Sequence, residues 1–173
     1  MKAVLVIPPK GFKDESVSKV SLLLKKWGID VVISSYAKAP CMGEHGASYL
    51  SDLNTARVSP ENFDAIVLID GKGVDAYRLY EFAPMLDLIK KFNSKKKIIF
   101  GIGNAVKIMA KAGIINKRKI AESDDEVIKN MAKAERAVMS EEPAIADENI
   151  ITSKNNDSLI AATSLMFYRM GLK

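Results

Sequence analysis

Lys97-Ile98-Ile99-Phe100-Gly101-Ile102-Gly103-Asn104-Ala105 reads as a short apolar strand. It ends in a tight turn and opens a helix running through Met109 and Ala112 to Gly113. In α/β proteins such a strand-to-helix turn is where a nucleophile is presented or a phosphate is cradled. Here the turn carries glycine and asparagine, with no cysteine or serine at its apex.

Outward from this unit, strands and helices alternate almost throughout, the pattern of a parallel sheet with helices on both faces. Lys2–Ile7 is predicted as the first strand, stopped by Pro8-Pro9. A helix from about Glu15 to Gly28 follows, with Val17, Val20, Leu23, Leu24 and Trp27 facing inward. Asp30–Tyr36 is a second strand whose Val31-Val32-Ile33 run suits burial on both faces. Residues 37–60 read as irregular, with strand character near Ala47–Leu50, and 62–71 as a third long strand with its terminal turn. A helix is predicted from about Ala76 to Phe92, kinked or split by Pro84.

Beyond the central unit, Arg118–Glu122 is a short strand, and Ser123 to Glu126 has the capping-box pattern for a helix reaching about Lys133. Ala137–Ser140, Ala144–Ala146 and Asn149–Thr152 read as short strands, with a hairpin turning at Asp147-Glu148-Asn149. The closing helix, from Asn156 or Asp157 to Met170, turns Leu159, Ile160, Thr163, Met166, Phe167 and Met170 inward. Together these predict one domain over residues 1–173: a three-layer α/β/α sandwich, flavodoxin-like, with a mostly parallel sheet and a small C-terminal β-hairpin.

Composition narrows the function classes. At 173 residues and 48% hydrophobic content the chain suits one substantial core. Its apolar runs, such as Ala65 to Ile69, fall far short of the ~20 residues that span a bilayer, so no membrane partner is expected. Lys2–Ile7 lacks the features of a signal peptide, and a cytoplasmic location is the expectation. The net charge of +5 is spread through Lys25-Lys26, Lys90-Lys91, Lys95-Lys96-Lys97 and Lys117-Arg118-Lys119. These sit mostly at helix ends and in loops, where cations complement helix C-termini; no aromatic interleaving accompanies them, and nucleic acid is not an expected partner.

One cysteine, Cys41, and one histidine, His45, exclude an internal disulfide and a Cys/His zinc site within one chain. Cys41, in the loop-like Pro40-Cys41-Met42-Gly43, reads as a free surface or half-buried thiol. No metal or cofactor is expected. Gly101-x-Gly103 is not read as a dinucleotide fingerprint, because Val106 stands where the third glycine would be.

The order of these pieces and their local wording resemble the ThiJ/PfpI (intracellular-protease-like) family of the class I glutamine amidotransferase-like superfamily. The resemblance rests on Lys2–Ile7 with Phe12 and Asp14, on Gly43-Glu44-His45-Gly46, and on Pro60-Glu61-Asn62-Phe63-Asp64-Ala65-Ile66-Val67-Leu68. It continues through the Gly101–Ala105 turn and Ala112-Gly113-Ile114-Ile115 with Arg118-Lys119.

The resemblance implies a cysteine at the strained turn, often a histidine after it, a glutamate near the first strand that hydrogen-bonds the thiol, and a Gly-Gly pair helping to form an oxyanion hole. Those positions fall here on Gly103, Asn104, Lys13 and Asp70-Gly71. Covalent catalysis needs a thiolate or activated hydroxyl at the apex, and a carboxylate at position 70 would repel a developing oxyanion. The expectation is therefore a non-catalytic member, with hydrolase, glyoxalase and deglycase activity of the family's kind absent. The resemblance also implies a homo-oligomer, at least a dimer.

Candidate ligand-binding residues are Lys13, Asp70, Gly71, Lys72, Gly103, Asn104 and His45, grouped by the rule that ligands sit beyond the carboxyl ends of parallel strands. Two readings of Lys13 and Asp70 stay open: an internal ion pair, or a site in which Lys13 and Lys72 meet a small anionic metabolite with help from N–H groups near Asn104. His45 is read as a structural or surface group, alternatively lining the crevice, and Glu44 as a solvated loop carboxylate. The remaining alternatives are an enzyme using non-covalent acid/base chemistry through Asp70 with Lys13 or His45, and a protein that works through its oligomer surface.

Overall fold

The computed structural model describes residues 1–36 and 39–172. β1 (Lys2–Val6) buries Ala3, Val4, Leu5 and Val6 in succession, as a strand covered on both faces must. β2 (Lys10–Phe12) leads into α1 (Asp14–Lys26), then come β3 (Asp30–Ser35), β4 (Pro40–Gly43), β5 (Ser48–Leu50), β6 (Leu53–Asn54) and β7 (Ala65–Leu68). α2 (Lys72–Ala76) and α3 (Ala83–Ser94) precede β8 (Ile98–Ile102) and α4 (Val106–Lys111). The chain closes through β9 (Lys119–Ile120), α5 (Glu126–Ala134), β10 (Val138–Met139), β11 (Ala144–Asp147), β12 (Ile150–Ser153) and α6 (Leu159–Arg169).

The main sheet has seven strands in the order β11-β12-β8-β7-β1-β3-β6, parallel except for the β11–β12 pair. Alternating side chains feed two cores. Val4, Ile66, Leu68 and Ile99 pack with α3, α4 and α5 on one face. Leu5, Val67, Phe100 and Ile151 pack with α1 and α6 on the other. This is the predicted α/β/α sandwich with its flavodoxin-like, mostly parallel sheet. The closing hairpin is antiparallel, Ala144 facing Ser153 and Asp147 facing Ile150, and it forms the sheet's edge.

Several local expectations are corrected. The break expected at Pro84 lies before it, and the predicted start at Ala76 is displaced: α2 starts at Lys72 and stops at Ala76, and α3 starts at Ala83 with Pro84 in its first turn, where a missing N–H costs nothing. α5 is capped by Asp125, not Ser123; the Asp125 carboxylate accepts the N–H groups of Val127 and Ile128, while Ser123 Oγ accepts from the Asp125 N–H. Val31, Val32 and Ile33 are half-buried because only the two-residue β6 lies beyond β3. The short strand expected at 137–140 forms as Val138–Met139 and pairs in parallel with β9.

Trp27 and Ile160 face outward, 43% and 68% exposed, although the Trp27 ring lies 4.9 Å from that of Phe167. Cys41 is not a loop thiol: β4 carries it into the core, fully buried, within a second small sheet of order β2-β4-β5. That sheet takes up much of the segment expected to be irregular, of which residues 37 and 38 lie outside the described residues. Among the described residues no helix is long and apolar enough to cross a membrane, and no cluster of three His, Cys, Asp or Glu side chains could hold a metal ion.

Candidate functional site

β7 and β8 are neighbours and run in parallel, so the turns after their carboxyl ends, Asp70-Gly71 and Gly103-Asn104, stand side by side. The β2–α1 turn is fixed to them by the backbone: Lys13 N–H donates to Asp70 C=O at 2.9 Å. Gly71 makes this approach feasible. Its φ is +139°, and a Cβ there would lie 2.2 Å from Gly11 O and 2.8 Å from Lys13 N.

Six of the seven candidates, Lys13, Asp70, Gly71, Lys72, Gly103 and Asn104, line one crevice of about 390 Å³. His45 does not. It is exposed and borders a neighbouring hollow of about 210 Å³, shared with Lys13 and Asn156. The crevice therefore does not bring His45 to Asp70, and the Asp70–His45 acid/base pairing has no support.

Gly103 sits at the apex with φ +50°, the left-handed backbone that an L side chain resists. The space a side chain would enter is occupied. A Cβ on Gly103 would lie 2.9 Å from Asp70 Oδ2 and 3.2 Å from Asp70 Cβ.

Asp70 is only 1% exposed. Ser16 Oγ hydrogen-bonds Oδ1 at 2.5 Å, and Lys13 Nζ stands 3.5 Å from Oδ2, so the internal pairing of Lys13 with Asp70 is what the fold builds. At that distance Lys13 balances charge without making a hydrogen bond, and Oδ2 has no hydrogen-bond partner among the described residues. Burial pushes the Asp70 carboxyl above the usual carboxylate range, against the opposing pull of the Ser16 hydrogen bond and the Lys13 charge.

Asn104 is closed onto the backbone. Its Oδ1 accepts from Gly71 N–H at 3.0 Å, and its Nδ2 donates to Gly71 C=O at 2.7 Å and to Asp75 Oδ2 at 3.2 Å. Glu44, expected to be a solvated loop group, instead lines the crevice and accepts the Lys72 N–H at 2.7 Å. Its turn is held by Asp14, whose carboxylate accepts from His45 N–H at 2.6 Å and Ala47 N–H at 2.9 Å. Two N–H groups that an anion would use are thus already bonded to side chains.

The far wall is an ionic lattice that the sequence reading missed. Lys107, 6% exposed, bridges Asp75 at 2.9 Å and Asp125 at 3.1 Å. Burial alone would lower the Lys107 pKa, but the two carboxylates outweigh it and hold it above the ordinary lysine value. Lys154 bridges Glu122 and Asp124. Lys72 is left as the lining ammonium without an ion pair among the described residues. A signal for Lys107 existed: it is the one charge in Ala105-Val106-Lys107-Ile108-Met109-Ala110, and a lysine inside a fully buried turn must be paired.

The sequence profile of the DJ-1/PfpI family matches residues 1–166. The chain belongs to the DJ-1/PfpI family. An uncharacterized protein of Methanocaldococcus jannaschii is 29% identical over 157 residues, covering 90% of this chain and 76% of that protein. The deglycase PfpI of Pyrococcus furiosus is 28% identical over 162 residues, covering 91% of this chain and 93% of that protein. The fold is that of a ThiJ/PfpI domain protein from Brachyspira murdochii, with a TM-score of 0.91 at 23% identity over 98% of this chain and 96% of that one.

Relatives from Pyrococcus horikoshii, Thermococcus kodakarensis and Pyrococcus abyssi also carry the name deglycase. These names overturn the expectation that deglycase activity is to be dismissed for this DJ-1/PfpI chain. The missing apical side chain argued against a thiol route, and that argument does not reach activity by other groups.

Proposed function

We propose that the crevice is a small-molecule active site in which Asp70 exchanges a proton with the bound molecule directly, with no covalent intermediate. The observation that carries this is Oδ2 of Asp70, buried, without a hydrogen-bond partner among the described residues, and filling the space that a Gly103 side chain would need. A buried carboxyl with a raised pKa is moved toward the pH at which it can both take and return a proton. Lys13 offsets the charge of the ionised form. Lys72, exposed at the crevice and without an ion pair among the described residues, can receive a substrate oxygen.

Its deglycase-named relatives supply the first reaction to assay. Wild type, Asp70→Asn and Lys13→Met are compared for turnover. Loss of positioned acid/base catalysis is worth about 10²–10⁴-fold, and Asp70→Asn is expected to lose that much while keeping its fold. An Asp70→Asn protein that turns over like wild type would refute the reading. A wild type that binds ligands without turnover would reduce the crevice to a binding site.

A further inference from the structure

Ser16 Oγ stands against two oxygens at once. One is Asp70 Oδ1 at 2.5 Å; the other is Asn156 Oδ1, on the short turn before α6. A serine hydroxyl has one hydrogen to donate and two lone pairs, while an ionised carboxylate and an amide oxygen only accept. One hydrogen cannot serve both contacts. With the Asn156 amide oxygen turned to Ser16, a second is required, and a protonated Asp70 carboxyl supplies it.

We infer that Ser16 and Asn156 hold a hydrogen on Asp70: Asn156 Oδ1 takes the Ser16 hydroxyl hydrogen, and Asp70 donates its own from Oδ1 to Ser16 Oγ. When Asp70 ionises, the Ser16 hydroxyl turns from Asn156 to Asp70. Asn156 therefore competes for the hydrogen that would stabilise the carboxylate, and it acts on the crevice through Ser16. Both are positioning residues. This deepens the reading of Asp70 as the proton-exchanging group but concerns its state before any substrate binds.

The surroundings leave few competing charges. Lys13 is the ammonium within ion-pair distance of Asp70 among the described residues. Asp14 is turned to the His45 and Ala47 N–H groups, Glu15 to Lys19, and Glu44 to the Lys72 N–H. Asp75 is bound to Lys107, and Lys154 to Glu122 and Asp124. The Lys13 contact, long and without a hydrogen bond, is what a neutral carboxyl oxygen would allow.

The test is a ¹³C NMR titration of the Asp70 carboxyl in the ligand-free protein, its signal assigned by its loss in Asp70→Asn. Asn156→Ala removes the competing acceptor and is expected to move the midpoint down by about 0.5–1 pH unit, the worth of one hydrogen bond. An unmoved or raised midpoint would overturn the inference, because the Asn156 amide would then be donating to Ser16. Asn156→Asp retains acceptor oxygens and is expected to keep the midpoint at least as high as wild type; a fall there overturns it too. The pH–rate profile separates this from the catalytic reading. A midpoint that moves by NMR while the rate profile stays fixed leaves the proton-holding pair standing and removes Asp70 from the chemistry.

Discussion

Asp70 Oδ2 lies 2.9 Å from the point where a Cβ on Gly103 would stand, so the carboxyl and an apical side chain exclude one another. The left-handed backbone at Gly103 adds its own resistance. Gly103→Ala is expected to destabilise by about 1–3 kcal/mol, the range for a non-glycine residue forced into a rare conformation. Gly103→Cys should suffer similarly. Combining it with Asp70→Gly should recover part of the loss, because the two residues share one space. Denaturant titration of wild type, Gly103→Cys, Asp70→Gly and the double variant measures the coupling; strict additivity would show that the sites do not compete.

Asp70 also predicts a pH dependence of stability. Burial holds its folded pKa above the ordinary aspartate range, so the folded state binds this proton more tightly than the unfolded state. The stabilisation is full below the unfolded pKa and is lost as pH rises through the folded one. Asp70→Asn lacks this decline. Relative to wild type, the variant should gain stability between pH 4 and pH 8, measured by chemical denaturation at each. A gain of the opposite sign would place Asp70 as a net stabilising anion.

Arg136, exposed at φ +56° just after α5, offers a control far from the crevice. Glycine takes this conformation without a Cβ penalty. Arg136→Gly should raise stability by about 0.5–1 kcal/mol, read as a higher denaturant midpoint with an unchanged slope. A loss instead would show that the arginine side chain contributes more than its backbone costs.

The parallel sheet was legible because its strands are short apolar runs between turn residues; Ala65–Leu68 and Ile98–Ile102 need no partner to be recognised. The six crevice residues were legible for the same reason, since parallel strands deliver their carboxyl-end turns to one place. What stayed hidden depends on contacts distant in sequence. Ser16 meets Asp70 across 54 positions and Asn156 across 140, and nothing in the spacing of α1 marks that serine. Glu44 looked like a loop carboxylate until the β2-β4-β5 sheet set its turn over Lys72. Ser123 satisfied the capping-box pattern, yet Asp125 takes the cap with one carboxylate oxygen while the other meets Lys107.

That dual use of Asp125 sets the last prediction. It caps α5 and pairs with Lys107, which in turn reaches Asp75 on α2, so one lysine fastens two walls of the crevice. Burial would raise the Asp125 pKa, but the Lys107 hydrogen bond and the Val127 N–H prevail and hold it below the usual value. Its stabilisation is present above the unfolded pKa and lost as pH falls through the folded one, opposite in sign to Asp70. Removing one partner of a buried pair costs about 3–5 kcal/mol, but exposed pairs are worth about 0–1 kcal/mol. Asp75 and Asp125 are 47% and 33% exposed, so water can receive either once Lys107 is gone. Lys107→Met is therefore expected to cost an intermediate ~1–3 kcal/mol. Asp125→Asn, which keeps a capping oxygen, should cost less than Asp125→Ala, which loses cap and pair together. Amide hydrogen exchange should report the loss first in α5; protection lost uniformly across the sheet would mean that Lys107 supports the whole fold rather than the crevice wall.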